Sequence, residues 1–267
     1  MTLPLRSTDI GVLEPALRPH DRFDWLEYSR GDFPFYNGQP ARISGSQWWF
    51  VIAMVVLGFA LLTTKLLAPT GSAAPYLAAI LFPFVPLFGL AIVSPVHWRA
   101  IFRGVGWREL MWMFLIALLN IVVTLCVALA LGTVETMTAN SAVAGLADLS
   151  TGDRVLFFAR TAPQLLGEEV VTILPFLAVL YLLSAKVGLS RRQSILGAWL
   201  VSAALFAAMH LPTYGWNFVQ CFVVIGSARL VLSLAYIKTK NIWVSTGAHI
   251  INDWTLFGGL LLLAALR

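Results

Sequence analysis

The sequence predicts an all-α protein, a polytopic membrane helix bundle of about seven to eight transmembrane helices. Three observations predict it. Of the 267 residues, 59% are hydrophobic and only 12% are charged, about half the charged share of an ordinary soluble domain. The apolar residues gather into runs close to the roughly 20 residues that a helix needs to cross the hydrocarbon. The basic residues between those runs fall in every second loop.

In chain order, residues 1–46 read as a soluble, partly ordered N-terminal extension lying against the membrane surface. They hold 11 of the 31 charged residues, interleaved with aromatics as in DRFDWLEYSRGDFPFYNG. No secretory signal peptide is expected, because the first apolar run begins only at Trp48. The transmembrane domain then covers 47–267. Its spans are expected at 48–66, 76–95, 110–131, 164–185, 194–210, 217–237 and 242–264. A short eighth helix around 154–163, RVLFFARTAP, would lie in the interface and leave Pro163 in the first turn of the next span.

The loops set the orientation. Loop 96–109 carries Arg99, Arg103 and Arg108, loop 186–193 carries Lys186, Arg191 and Arg192, and loop 238–241 carries Lys238 and Lys240. Loops 67–75, 133–153 and 211–216 carry no Lys or Arg. The positive-inside rule therefore predicts a multi-pass protein of the cell membrane with its N-terminus in the cytoplasm. Seven spans would leave the C-terminus outside.

The same distribution assigns the net charge of +5 to membrane orientation, and no nucleic-acid partner is expected; the partner is the lipid bilayer. The GxG in RGVGWRE follows no strand and reads as a turn, not a nucleotide site. Cys126 and Cys221 both lie in apolar runs and read as small buried hydrophobes, without disulfide or zinc-finger spacing.

Ionisable residues inside membrane spans are functional candidates by default, because each one costs free energy to insert. Here they are Glu168, Glu169, His210, Arg229, His249 and Asp253. Glu168 and Glu169 are adjacent, so on a helix they point about 100° apart; one can face a site while the other anchors to a neighbour. Placed just after Pro163, both would gain from the helix dipole. Phe206 and His210 share a face at a spacing of four, as do His249 and Asp253. Asp253 is placed to orient the His249 ring and fix its tautomer, and Asn252 is also within helical reach.

A lone histidine in such a helix is most often a packed, hydrogen-bonded residue, and a lone carboxylate near an interface snorkels. Two Glu, two His and one Asp in one half of the chain are harder to read that way. A carboxylate beside a histidine in a low dielectric can activate water. A second histidine with a neighbouring Asp or Asn can stabilise an oxyanion. Two His and a carboxylate are also plausible zinc ligands. Both readings point to peptide-bond hydrolysis at the membrane, and HExxH and GxSxG are absent. The alternatives from other classes are a non-catalytic binding or immunity protein and a transporter or proton relay.

With these residues in place, the sequence resembles the CAAX prenyl endopeptidase and bacteriocin-processing (CPBP, or Abi) intramembrane proteases. That family shows EExxxR, then FxxxH, then HxxxN or HxxxD on successive helices. Here the motifs are Glu168-Glu169, Phe206 to His210, and His249 to Asp253, within about residues 160–256. The resemblance implies an intramembrane endopeptidase acting on membrane-associated, possibly lipidated, peptides or protein tails. It implies Glu168 as the water-activating base with His210, and His249 with Asp253 at the oxyanion. It implies no cofactor, or else zinc on Glu168, His210 and His249; adjacent carboxylates without a third tight ligand make a poor zinc cage, which favours the metal-free form.

One departure stands out. The motif arginine, expected four residues after Glu169, is Ile173. Arg229, buried mid-span, is the expected substitute, which predicts an ion pair between helices. A second difficulty is depth. On this topology Glu168 and His210 lie toward the outer face and His249 toward the cytoplasmic one. Either a re-entrant KTKNIWVS turn delays the last span beyond 242 and reconciles them, or the side assignment is reversed.

Overall fold

Most helices begin where a side chain can satisfy the free N–H groups of the first turn. Ser44 and Ser190 close capping boxes with Gln47 and Gln193, Ser150 accepts from the Asp153 N–H, and Asn241 from the Trp243 N–H. The computed structural model describes residues 22, 23, 25–28 and 31–266. Its long helices are α1 (Gly45–Thr63), α2 (Ala74–Val93), α3 (Trp107–Gly132), α4 (Thr151–Tyr181), α5 (Arg191–Met209), α6 (Phe218–Thr239) and α7 (Ile242–Ala265). Among the described residues there are no strands, and seven helices are long and apolar enough to cross a membrane. The chain is an all-α, multi-pass membrane protein.

Helix α4 organises the bundle, packing against α1, α2, α5 and α7. Its stretch from Glu169 to Leu177 is buried throughout. Gly167 allows α2 to approach, since a Cβ there would clash with the Phe82 ring. Helix α3 leaves Phe114, Leu118, Val122, Leu125 and Leu129 exposed along one side. That is the pattern of a lipid-facing surface, where the helix backbone satisfies itself and the side chains need only be apolar.

The fourth span differs from its expectation. Residues 154–163 are not a separate interfacial helix but the opening turns of α4, which runs unbroken through Pro163. Arg154 and Arg160 lower the local hydropathy without interrupting the helix. Glu168 and Glu169 therefore sit about 25 Å from the start of α4, beyond the reach of its N-terminal dipole. Cys126 also departs from expectation: it is exposed, whereas Cys221 is buried.

The end of the bundle that carries the basic loops is closed by the segment before α1. Leu26, Phe33, Phe35 and Tyr36 join the main hydrophobic cluster, and Phe33 packs on Phe176 and Tyr236. Glu27 receives Arg191 through two bonds of 2.8 and 2.6 Å and Lys240 at 2.9 Å. Asp32 takes Arg191 at 2.7 Å, and Tyr36 donates to it at 2.8 Å.

Lys240 is fully buried with φ 51°, in the left-handed region. Burial pushes its ammonium down to about 8, a fall that the Glu27 carboxylate opposes and the neighbouring Arg191 charge assists. Burial alone would raise the Glu27 carboxyl, but Arg191 and Lys240 hold it down at about 2, from an ordinary 4.5. A carboxyl lowered in the folded state adds stability above its unfolded value, and that stability is lost as pH falls through the folded one. Melting temperature in detergent is expected to fall between about pH 4.5 and pH 2, and Glu27→Gln to flatten that fall. Superimposable pH profiles for the two proteins would contradict this.

Candidate functional site

The buried turn at Lys240 and Asn241 settles the depth problem. It is a tight turn, not a re-entrant segment, and α7 begins at Ile242 as the apolar run suggests. Lys240, Asn241 and Ile242 are at most 1% exposed, so α7 starts inside the bundle beneath the N-terminal segment. His249, about 10 Å along α7, then reaches the level of mid-α4. His210 arrives at the C-terminal end of α5.

The three side chains converge. The His210 Nε2 lies 4.0 Å and the His249 Nε2 3.8 Å from Glu168 Oε2. Gln164, one turn earlier on α4, donates to Glu168 Oε1 at 3.2 Å. Each imidazole is held by its other nitrogen. His210 Nδ1 donates to the Phe206 carbonyl at 2.8 Å, and His249 Nδ1 to Glu169 Oε1 at 2.8 Å. Both acceptors lack a proton, so in the neutral rings Nδ1 carries the hydrogen and Nε2 is left facing Glu168.

Asp253 does not fix the His249 tautomer, as its spacing suggested; Glu169 does. Asp253 lies on the other side, 3.6 Å from His249 Nε2. It accepts from Asn252 at 2.8 Å, and Asn252 in turn accepts from Asn120 of α3 at 2.9 Å. The carboxylate at one end sets the polarity of this chain.

Glu169 is fully buried and carries the pairing that the absence of an arginine at Ile173 called for. Arg229 meets it with both terminal nitrogens, at 2.6 and 3.0 Å. Ser233 accepts from the Arg229 Nε at 3.2 Å, and the guanidinium lies 5.0 Å from the centre of the Phe206 ring. A π-helical stretch, Cys221–Ile225, precedes Arg229 in α6; such a stretch shifts the register of the later turns. Phe206 also packs on His210, ring centres 4.4 Å apart. The two glutamates thus divide as their spacing required: Glu169 is sealed in an ion-paired lattice, and Glu168 faces a cavity of about 280 Å³.

That cavity is lined by Glu168, His210, His249, Asn252 and Asp253, with Phe59, Phe82 and Phe257 among its apolar walls. A carboxylate and two oriented imidazoles in such an enclosure can take a proton from water and stabilise a developing negative charge. Among the described residues no group of three His, Cys, Asp or Glu side chains is arranged to hold a metal ion.

A family model described as type II CAAX prenyl endopeptidase Rce1-like matches residues 39–255. The chain belongs to this family. No match was found among curated proteins or among solved structures. The Rce1-like match runs from the segment before α1 to two residues past Asp253, so it covers every element that supplies the cavity's ionisable groups.

Four residues in the cavity of this Rce1-like protein escaped the sequence reading. Asn120 is one amide in an apolar run, and Gln164 is only the first residue of the expected span 164–185. Tyr214 lies four residues after His210 in the turn HLPTYGW; burial, with Asp253, Cys221 and Glu168 nearby, pushes its phenol up to about 12. It therefore stays protonated and able to donate. Arg160 was set aside with the supposed interfacial helix, yet it lines the cavity.

Proposed function

We propose that the protein is an intramembrane endopeptidase that hydrolyses a peptide bond of a membrane-associated substrate, lipidated beside that bond. The observation that supports it most is the convergence of both histidine Nε2 atoms on Glu168 Oε2 at 3.8 and 4.0 Å. These separations exceed a direct hydrogen bond and match a shared water. Glu168 takes a proton from that water, and His210, fixed through Phe206, accepts its second O–H and aims its oxygen at the scissile carbonyl. As the C–O bond forms, His249 acts in its imidazolium form, with Nδ1–H kept on Glu169 and a second hydrogen on Nε2 that it donates to the oxyanion, Asp253 lying beside it. Glu168 then returns its proton to the leaving nitrogen, and the C–N bond breaks. The apolar walls supply a dry enclosure for an acyl or prenyl chain and strengthen the charges at work.

In this reading the basic end of the bundle faces the cytoplasm of the cell membrane. The missing motif arginine favoured a non-catalytic protein, but Arg229 occupies its electrostatic place. The test is cleavage of a prenyl-cysteine peptide by protein reconstituted in phospholipid vesicles, with and without chelator. Cleavage that survives chelation supports the reading. Activity lost on chelation and restored by zinc would replace it with the metal-dependent form, and no cleavage by the folded protein would count against both.

A further inference from the structure

Arg160 is a half-buried arginine in the first third of α4. Among the described residues it has neither an ion pair nor a hydrogen bond. Its Nε is buried without a partner, and its only charge contact is with the Phe157 ring at 5.6 Å. It lines the same cavity as Glu168. The two lie eight residues apart on α4, a separation of about 12 Å along the axis. On α3, Asn120 and Thr124 each have one unpartnered buried oxygen, Oδ1 and Oγ1, and both residues line the same cavity.

The polarity of the Asn120–Asn252–Asp253 chain fixes the Asn120 oxygen as a free acceptor. Asn120 and Thr124 are one helical turn apart, about 6 Å, close to the two-residue repeat of an extended peptide, about 6.6 Å. One can accept from a main-chain N–H and the other donate to a carbonyl one repeat further on.

We propose that Arg160 captures the free C-terminal carboxylate of the substrate, with Asn120 and Thr124 holding the main chain between that end and the scissile bond. The proposal rests on the endopeptidase reading of Glu168 and assigns that site a specificity-determining residue. An extended chain covers about 3.3–3.6 Å per residue. Three residues beyond the scissile bond therefore reach from Glu168 to within hydrogen-bonding distance of Arg160. A carboxylate and a guanidinium make paired, charge-assisted bonds that an amide cannot reproduce. A C-a-a-X terminus likewise has three residues after its lipidated cysteine.

The experiment measures binding on the full-length Glu168→Gln protein in detergent, so that turnover plays no part. The probe is a fluorescent peptide ending in farnesyl-cysteine and three aliphatic residues, made as free acid and as C-terminal amide. The acid is expected to bind about 10- to 100-fold more tightly. In Glu168→Gln/Arg160→Gln the two forms should bind alike, and Glu168→Gln/Arg160→Lys should keep part of the preference. Equal binding of acid and amide to Glu168→Gln overturns the proposal without any change at Arg160, as does failure of both to bind. A preference that survives Arg160→Gln also overturns it. The endopeptidase reading fails separately, if the wild type cleaves the acid peptide and Glu168→Gln cleaves it equally well.

Discussion

Glu168→Gln is expected to lower kcat/KM for a lipidated peptide by about 10³- to 10⁴-fold, the upper range for removal of a positioned general base. The amide keeps the shape and the hydrogen bond from Gln164 but cannot take the proton of water. Folding should survive, because Glu168 lines a cavity and, among the described residues, forms no ion pair shorter than 3.8 Å. His210→Ala should cost a comparable factor, since it removes one of the two imidazoles facing the same carboxylate oxygen. The double variant is expected to be little worse than the poorer single one, because groups that act as a unit are non-additive. Costs that simply multiplied would indicate that Glu168 and His210 work separately.

Arg229→Met carries the largest expected effect on stability, about 3–5 kcal/mol, because it leaves Glu169 buried and uncompensated. Activity should fall too, since Glu169 holds His249 Nδ1 at 2.8 Å and would no longer be fixed by Arg229. Glu169→Gln/Arg229→Met removes both charges and should be less destabilised than the sum of its singles, by about 0.5–3 kcal/mol of coupling. Thermal unfolding in detergent measures all three proteins. Additive losses would mean that the pair does not act as one unit.

The seven apolar runs were legible because hydrocarbon imposes length and apolarity directly on the chain. The start of α4 was not, because Arg154 and Arg160 resemble an interfacial break while the backbone stays helical under its Ser150 cap. The Glu169–Arg229 contact was legible by elimination: one carboxylate lacked a partner, and one arginine stood buried in another span. Its extension to His249 was hidden. Spacing on α7 offered Asp253 as the orienting group, and only the packing of α4 against α7 puts Glu169 on Nδ1. The depth of His249 was equally hidden, because Glu27 buries the Lys240 turn from more than two hundred residues away in the chain. Asn120 and Arg160 carried no local signal. An amide or a guanidinium in an apolar run acquires meaning only from the cavity it faces.

The most direct measurement is product mass from the reconstituted protein, acting on a farnesylated peptide in ¹⁸O-labelled water. The account predicts one internal cut, with label in the new carboxylate, in the wild type and none above background in Glu168→Gln. An intact peptide after incubation with folded wild type, or the same labelled product at the same rate from Glu168→Gln, would contradict it.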